Sequence, residues 1–501
     1  MKTSNIIYSA IFAAGWLVSS SCQKSWLTVT PKGTNLEANY YQTPDEAFAG
    51  LVAAYDPLGA EVATSYCMKL GLLNTASDDC LAGGGSSSDQ PTWVALDNFT
   101  VSAGQGPQGD IWGNNYTGIY RSNVLLSKLN GVPGLDGATK SRYTAEARFL
   151  RAYYYFNLVR WFKNIPLITD VIPSDQIYNQ PQATPDSVYM QIESDLKAAI
   201  PVLPQTVQAT TEGGRVTKGA AEALLAKVIL WEAGPDDNSR MQEAAQYLDD
   251  LNYSGTYHLL SNYGSIFDPA NKFNAESVFE IVHTSAANQN WDNWGNFDGN
   301  VYVQMIGMRS YAGPDYQAGY GFNPVSKELA QALKGDPRYS YTVINADSLR
   351  NANVATYGDS YQNTGFFIKK YAPENQNRCA ACGVPELNYP NDWIEIRLAD
   401  TYLLEAEALV RGGGDLVKAD TLLNRVRRRV GLPHEAPTLD NIYKERRLEL
   451  ATEGQRYFDL IRTGQAAAVL GSSGFNPDKN NILPIPLNEL NGTKLKQNPG
   501  Y

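Results

Sequence analysis

Residues 394–430, IEIRLADTYLLEAEALVRGGGDLVKADTLLNRVRRRV, decide the fold. Leu398, Tyr402, Ala406 and Leu409 recur at helical spacing, and Leu416, Ala419, Leu423, Val426 and Val430 do so again after Gly412, Gly413 and Gly414. Three glycines between two amphipathic stretches permit a tight reversal, so the segment predicts a helical hairpin, with helices over Ile394–Val410 and Leu416–Val430.

Working outward, the same spacing predicts helices over Ala145–Phe162, Lys218–Glu232 and Leu439–Glu453. Thr43-Pro44-Asp45-Glu46 combines an N-cap hydroxyl, a proline at the first helical position and a glutamate three residues after the threonine; Thr184-Pro185-Asp186 repeats the start signal. The pairs follow no fixed period, which excludes a regular solenoid and leaves an irregular, mainly α scaffold of tetratricopeptide-like helix pairs.

Two stretches break the helical pattern. Residues 77–110 read SDDCLAGGGSSSDQPTWVALDNFTVSAGQGPQGD, and residues 284–323 set Trp291, Trp294, Phe297, Tyr302, Tyr311, Tyr316 and Tyr320 among Asn, Gln, Asp and Gly. Long loops rich in aromatics suit binding better than disorder, which is usually poor in large rings. An indole or phenol face packs against the C–H side of a pyranose while amides and carboxylates take its hydroxyls, the chemistry of carbohydrate recognition. Trp93, Trp291, Trp294 and Tyr316 are therefore the expected stacking platforms, with Asp78, Asn98 and Asn296 as hydroxyl partners. For any single ring, core packing is the competing reading.

Composition narrows the partners. The 501 residues carry a formal net charge of −11 and 31 tyrosines, with only 19% charged side chains, so polarity rests largely on neutral hydrogen-bonding groups. That balance argues against nucleic acid, which needs a basic surface. The run Arg425, Arg427, Arg428 and Arg429 reads as a solvated or ion-paired helix face.

Cys22 follows Lys2, an apolar stretch from Ile6 to Val18, and Ser19, Ser20 and Ser21. A charged start, a short apolar core and small residues before a cysteine predict a lipoprotein signal over residues 1–21, with Cys22 acylated and residues 22–501 as one domain. The alternative is an ordinary signal peptide cut near a cysteine. Export makes a local Cys379–Cys382 disulfide the default reading of the C-x-x-C spacing; free thiols and a four-cysteine zinc site with Cys67 and Cys80 are the alternatives. His258, His283 and His434 complete no ligand set, and neither a metal nor a cofactor is expected.

Residues 397–409, 423–427, 445–451, 454–462 and 483–486 (Leu483-Pro484-Ile485-Pro486), with the terminal Gln497-Asn498-Pro499-Gly500-Tyr501, resemble the SusD/RagB family. Residues 145–156, 165–167 and 214–220 match it too, and the motifs run in family order over nearly the whole mature chain, with a C-terminal RagB/SusD region at about 270–501. The resemblance implies a non-catalytic lipoprotein of the Gram-negative outer membrane, facing outward. Such a protein binds oligosaccharides, or in some members peptides, and lids a SusC-like TonB-dependent transporter. Family members often carry acidic residues soon after the lipidated cysteine, whereas Gln23-Lys24-Ser25-Trp26 follows here. Glu445, Arg446, Arg447, Glu449, Glu453, Arg456, Asp459 and Arg462 read as a scaffold ion-pair network. Ligand residues lie outside the motifs and are not carried over. The rival class is a glycoside hydrolase, for which Asp78-Asp79 would have to supply both carboxylates.

Overall fold

The structure is a computed structural model and describes residues 40–59, 68–286, 289–291, 298–379 and 382–501. Cys22, Cys67, Trp294 and Asn296 lie outside the described residues. Eight helices carry the scaffold: α1 (Pro44–Tyr55), α2 (Gln108–Lys128), α3 (Gly137–Phe162), α4 (Pro185–Ala199), α5 (Lys218–Ala233), α6 (Met241–Asn252), α7 (Leu398–Arg411) and α8 (Leu416–Arg429). Each packs on the next along the chain, including α6 on α7, although residues 253–397 intervene. The stack is thus tetratricopeptide-like but interrupted, and the interruption carries most of the irregular, loop-rich structure. Among the described residues no helix is long and apolar enough to cross a membrane.

The start signals work as the side chains dictate. Thr43 Oγ1 accepts from the Glu46 N–H at 3.2 Å and Glu46 Oε2 accepts from the Thr43 N–H at 3.2 Å, the reciprocal capping box. Thr184 caps α4 and Asp415 caps α8, the latter accepting from Val417 and Lys418. Between α7 and α8 the chain reverses through Gly413 at φ +62°, a conformation that L side chains resist.

Helix α3 forms the centre. From Ala145 to Phe162 every side chain except Arg148 is buried, so this half of the helix is surrounded by protein. Its buried Arg151 is matched by Asp195 of α4, which accepts at 2.8 and 2.7 Å, and by Asn123 of α2 at 2.9 Å. The C-terminal segment closes over its end: the Leu483 N–H donates to the Trp161 carbonyl at 2.6 Å, and the Asn498 amide donates to those of Phe162 and Leu483.

Three helix boundaries differ from the sequence reading, and the first is that of α3, which begins at Gly137 behind the Asp136 cap rather than at Ala145. Residues 394–397 are not helical: Trp393–Arg397 is a strand, β2, paired antiparallel with β1 (Ser277–Ile281), and α7 begins only at Leu398. Alternating Ile394 and Ile396 supply the β pattern, and the polar residues between them are buried with partners, Glu395 with Lys69 and Arg397 with three glutamates. Helix α9 (Leu439–Glu449) stops short of Glu453 because Thr452 (φ +67°) and Gly454 (φ +71°) turn the chain. Buried Asn74 clamps that turn, donating to the Thr452 carbonyl at 2.9 Å and accepting from the Gly454 N–H at 3.1 Å. A short α10 (Arg456–Arg462) follows.

Candidate functional site

The two stretches singled out as loops meet in space, and each contains a short helix, Pro91–Asp97 and Val301–Ile306. They cross where Gly83 bridges Phe322 and Cys80 bridges Val325. The Gly84 N–H donates to the Gly321 carbonyl at 2.8 Å, and the Leu81 N–H to that of Pro324 at 3.0 Å. Gly83 and Gly84 have φ of +72° and +89°, and a Cβ on Gly83 would lie 2.4 Å from the Gly321 oxygen. Only glycine admits both the backbone and the close approach.

A third segment, residues 354–364, completes the face. The Tyr361 N–H donates to the Gly84 carbonyl at 2.8 Å and the Gly358 N–H to that of Arg309 at 2.7 Å, while Ala312 and Thr356 exchange two hydrogen bonds at 2.9 Å. Gln362 locks the third segment to the first: its amide oxygen accepts from the Gly83 N–H at 3.3 Å and its nitrogen donates to Asp97 Oδ2 at 2.7 Å. Burial raises the Asp97 carboxyl despite that hydrogen bond.

On this support stand partly covered phenol rings and exposed polar groups. Tyr316 meets buried Tyr311 edge to face at 5.6 Å, and Tyr320 and Tyr361 are also half-buried. Burial, with Glu374 and Asp315 nearby, pushes the Tyr316 phenol well above its ordinary range, so it stays neutral and able to donate. Asp89 accepts from the Gly85 N–H at 2.6 Å, and Arg309 donates to the Tyr320 carbonyl at 3.2 Å. Ser86, Ser87, Ser88, Ser310 and Asp359 are exposed around them. Half-buried rings beside hydroxyls, a carboxylate and a guanidinium suit a polyhydroxylated ligand. Among the described residues no group of three His, Cys, Asp or Glu side chains could hold a metal ion.

The expected site residues divide. Tyr316 belongs to this face. Trp93 does not: it is 0% exposed, packs on Phe322 at 5.2 Å and fills the space beside Gly71, so neither indole face is open. Asp78 is also misread as a hydroxyl partner. Arg456 donates to both its oxygens at 2.7 and 3.1 Å, and Arg447 Nη2 lies 2.8 Å from Oδ2. Burial would raise the Asp78 carboxyl, but the Arg456 hydrogen bond and the Arg447 charge outweigh it and hold it below its usual range. Neighbouring Asp79 is buried against Arg447 at 2.9 Å, so the carboxylate pair is a structural anchor. Asn98 is exposed at the end of its helix, its amide spent on the Val94 carbonyl at 3.0 Å. Trp291 is 43% exposed and sits near the 384–388 turn, to which Gln289 is hydrogen-bonded. Cys379 and Cys382 are joined in a disulfide, and Cys80 is a buried free thiol.

Asp89, Arg309 and Tyr361 are not among the expected site residues, and Tyr320 enters the sequence reading only as one of the second loop's aromatics. Residues 354–364, VATYGDSYQNT, carry the same signal of tyrosines among Gly, Asp, Gln and Asn as the second loop, in a shorter stretch.

Together, an interrupted helix-pair scaffold and a rigid face of half-covered rings define a helical binding-protein class. Residues 58–230 match the family described as starch-binding associating with outer membrane, and residues 275–501 match the SusD family. A solved laminarin-binding SusD-like protein is 44% identical, with 92% of this chain and 100% of that chain covered at a TM-score of 0.87. Surface glycan-binding protein A from Bacteroides thetaiotaomicron, in complex with laminarihexaose, is 30% identical with 91% and 99% covered and a TM-score of 0.84. A SusD-like protein of Bacteroides ovatus is 26% identical, covering 90% of this chain and 81% of its own. The chain belongs to the SusD family.

Proposed function

We propose that this protein is a non-catalytic glycan-binding protein that captures laminarin-type β-glucan chains on the face built from residues 83–89, 309–320 and 354–364. It then passes them to a SusC-like TonB-dependent transporter. The observation that carries the reading is the full-length match, at 44% identity, to a protein named for binding laminarin. The face supports it physically, because neutral rings and hydroxyl partners match an uncharged sugar chain. Acylation of Cys22 would hold captured glycan beside the import channel on the outer membrane. The ion pairs that occupy Asp78 and Asp79 support a non-catalytic role.

Isothermal titration against laminarihexaose, maltohexaose and a peptide panel tests the reading. Laminarihexaose should bind and the peptides should not; binding of peptides alone would overturn it. New reducing ends after incubation with laminarin would overturn the non-catalytic assignment. Metabolic labelling with a palmitate analogue should mark wild type and not Cys22→Ala.

A further inference from the structure

A second polar cleft lies on the other side of the segment that backs Tyr316. Its volume is about 290 Å³, close to the lower end of small-molecule sites at ~300–1,000 Å³. One wall is the turn from Asn262 to Phe267, the other comprises Tyr341, Lys369 and the 372–377 segment, and Asn391 also lines it.

The cleft has the parts that recognise a sugar. Tyr341 is 39% exposed, and its ring lies so close to the backbone opposite that a Cβ on Gly264 would stand 2.6 Å from it. The ring is held by Gly264 and by Tyr263, 6.0 Å away, and remains partly exposed. Beneath, Phe267 meets Tyr371 edge to face at 5.8 Å, and Lys370 Nζ stands 4.9 Å over the Phe267 ring, so this wall is rigid. Polar groups surround the rings: Asn262, Ser265, Gln376 and Asn377. Asn391 is 4% exposed and its amide oxygen has no hydrogen-bond partner, which leaves a buried acceptor at the wall.

Charge argues for a neutral ligand. The Lys370 ammonium is taken by Glu453 at 2.6 Å and the Glu449 carbonyl at 3.1 Å, while Lys369, Asp268 and Glu374 all line the cleft. An anionic ligand would meet two carboxylates. The cleft also adjoins the first face: the Gln317 N–H donates to the Pro373 carbonyl at 2.8 Å, the Asn375 N–H to that of Asp315 at 2.9 Å, and Tyr316 bridges Glu374.

We propose that this cleft is a second subsite for a neutral saccharide, separated from the Tyr316 face by residues 373–377. It rests on the glycan-binding reading above. The test is isothermal titration of laminarihexaose into wild type, Tyr341→Ala and Gln376→Trp, the last placing an indole at an exposed wall position. With thermal melts unchanged, Tyr341→Ala should bind about fivefold more weakly, the size of one lost aromatic contact, and Gln376→Trp at least as much more weakly because its indole fills the cleft. Affinity within about twofold of wild type in both variants would overturn the cleft while leaving the face intact. A wild-type protein that does not bind laminarihexaose would overturn both.

Discussion

Two polar regions of this molecule use their polarity in opposite ways. Where β2 meets α9, Arg397 is 1% exposed and is held by Glu276, Glu449 and Glu453 at 2.9, 2.6 and 2.7 Å. Arg338 joins from another segment through Glu445 and Glu449, and Arg429 through Glu276 and Glu449. Burial would raise the Glu449 carboxyl, yet the charges of Arg429, Arg397 and Arg338 pull it well below its usual range. The face around Tyr316 carries its polarity on hydroxyls, amides and partly open rings. Buried charges tolerate one arrangement because an unpaired ion in a dry interior costs several kcal/mol, so the lattice specifies how distant segments meet. Exposed neutral groups remain available to a ligand because water already satisfies them.

The sharpest way to break this contrast is Arg397→Met, which removes a buried cation shared by three carboxylates and leaves Glu276 to Arg429, Glu449 to Arg338 and Arg429, and Glu453 to Lys370. We expect a loss of about 3–5 kcal/mol, read as a large fall in Tm or as failure to fold. Arg350→Met, at an exposed pair with Asp347, should cost about 0–1 kcal/mol. Comparable losses would dissolve the distinction.

Next in size is Trp93→Ala, which separates the core from the binding reading of that residue. Burial predicts a stability loss of about 3–5 kcal/mol in chemical denaturation. A stable variant with weakened glycan binding would restore Trp93 to the site.

A third test uses pH. Burial lifts the Glu280 carboxyl from 4.5 to about 7, with the neighbouring Asp392 adding to the rise against a hydrogen bond from the Phe273 N–H. The folded value exceeds the unfolded one, so this contribution is complete below about pH 4.5 and is lost as pH rises through about 7. That loss should reach ~3 kcal/mol and disappear in Glu280→Gln. His283, pulled down to about 4 by burial and Lys272, acts on the other side, withdrawing stability as pH falls from 6.5 through 4. A loss between pH 4.5 and about 7 that persists in Glu280→Gln would assign it elsewhere.

The smallest effects fall on the face itself. Tyr316→Ala and Tyr361→Ala should each weaken laminarihexaose binding by about 0.5–1.5 kcal/mol with little change in Tm. Trp291→Ala should cost binding about 1 kcal/mol only if its loop reaches the glycan. Unchanged affinity would remove Trp291 from the site.

Helix pairs were readable because amphipathic spacing and caps are local: Thr43, Thr184 and Asp415 act within one turn of themselves. The hairpin about Gly413 was readable for the same reason. Residues 394–397 were misassigned because their β pairing depends on Ser277–Ile281, more than a hundred residues away. The charged C-terminal motif was correctly taken as scaffold, but many of its partners lie outside its own helix: Arg447 and Arg456 reach Asp78, and Arg462 reaches Glu407. Trp93 and Tyr316 looked alike in sequence, as aromatics in polar surroundings.

The sequence by itself determined the helical scaffold and the family, since these rest on local periodicity and ordered motifs, while composition raised only the expectation of a polyhydroxylated ligand. Tertiary structure alone decided which aromatics are open. Exposure of a ring depends on what folds over it: Phe322 and Gly71 close on Trp93, whereas the glycine crossing at Gly83 and Gly84 lifts the Tyr316 and Tyr361 segments into one outward-facing surface.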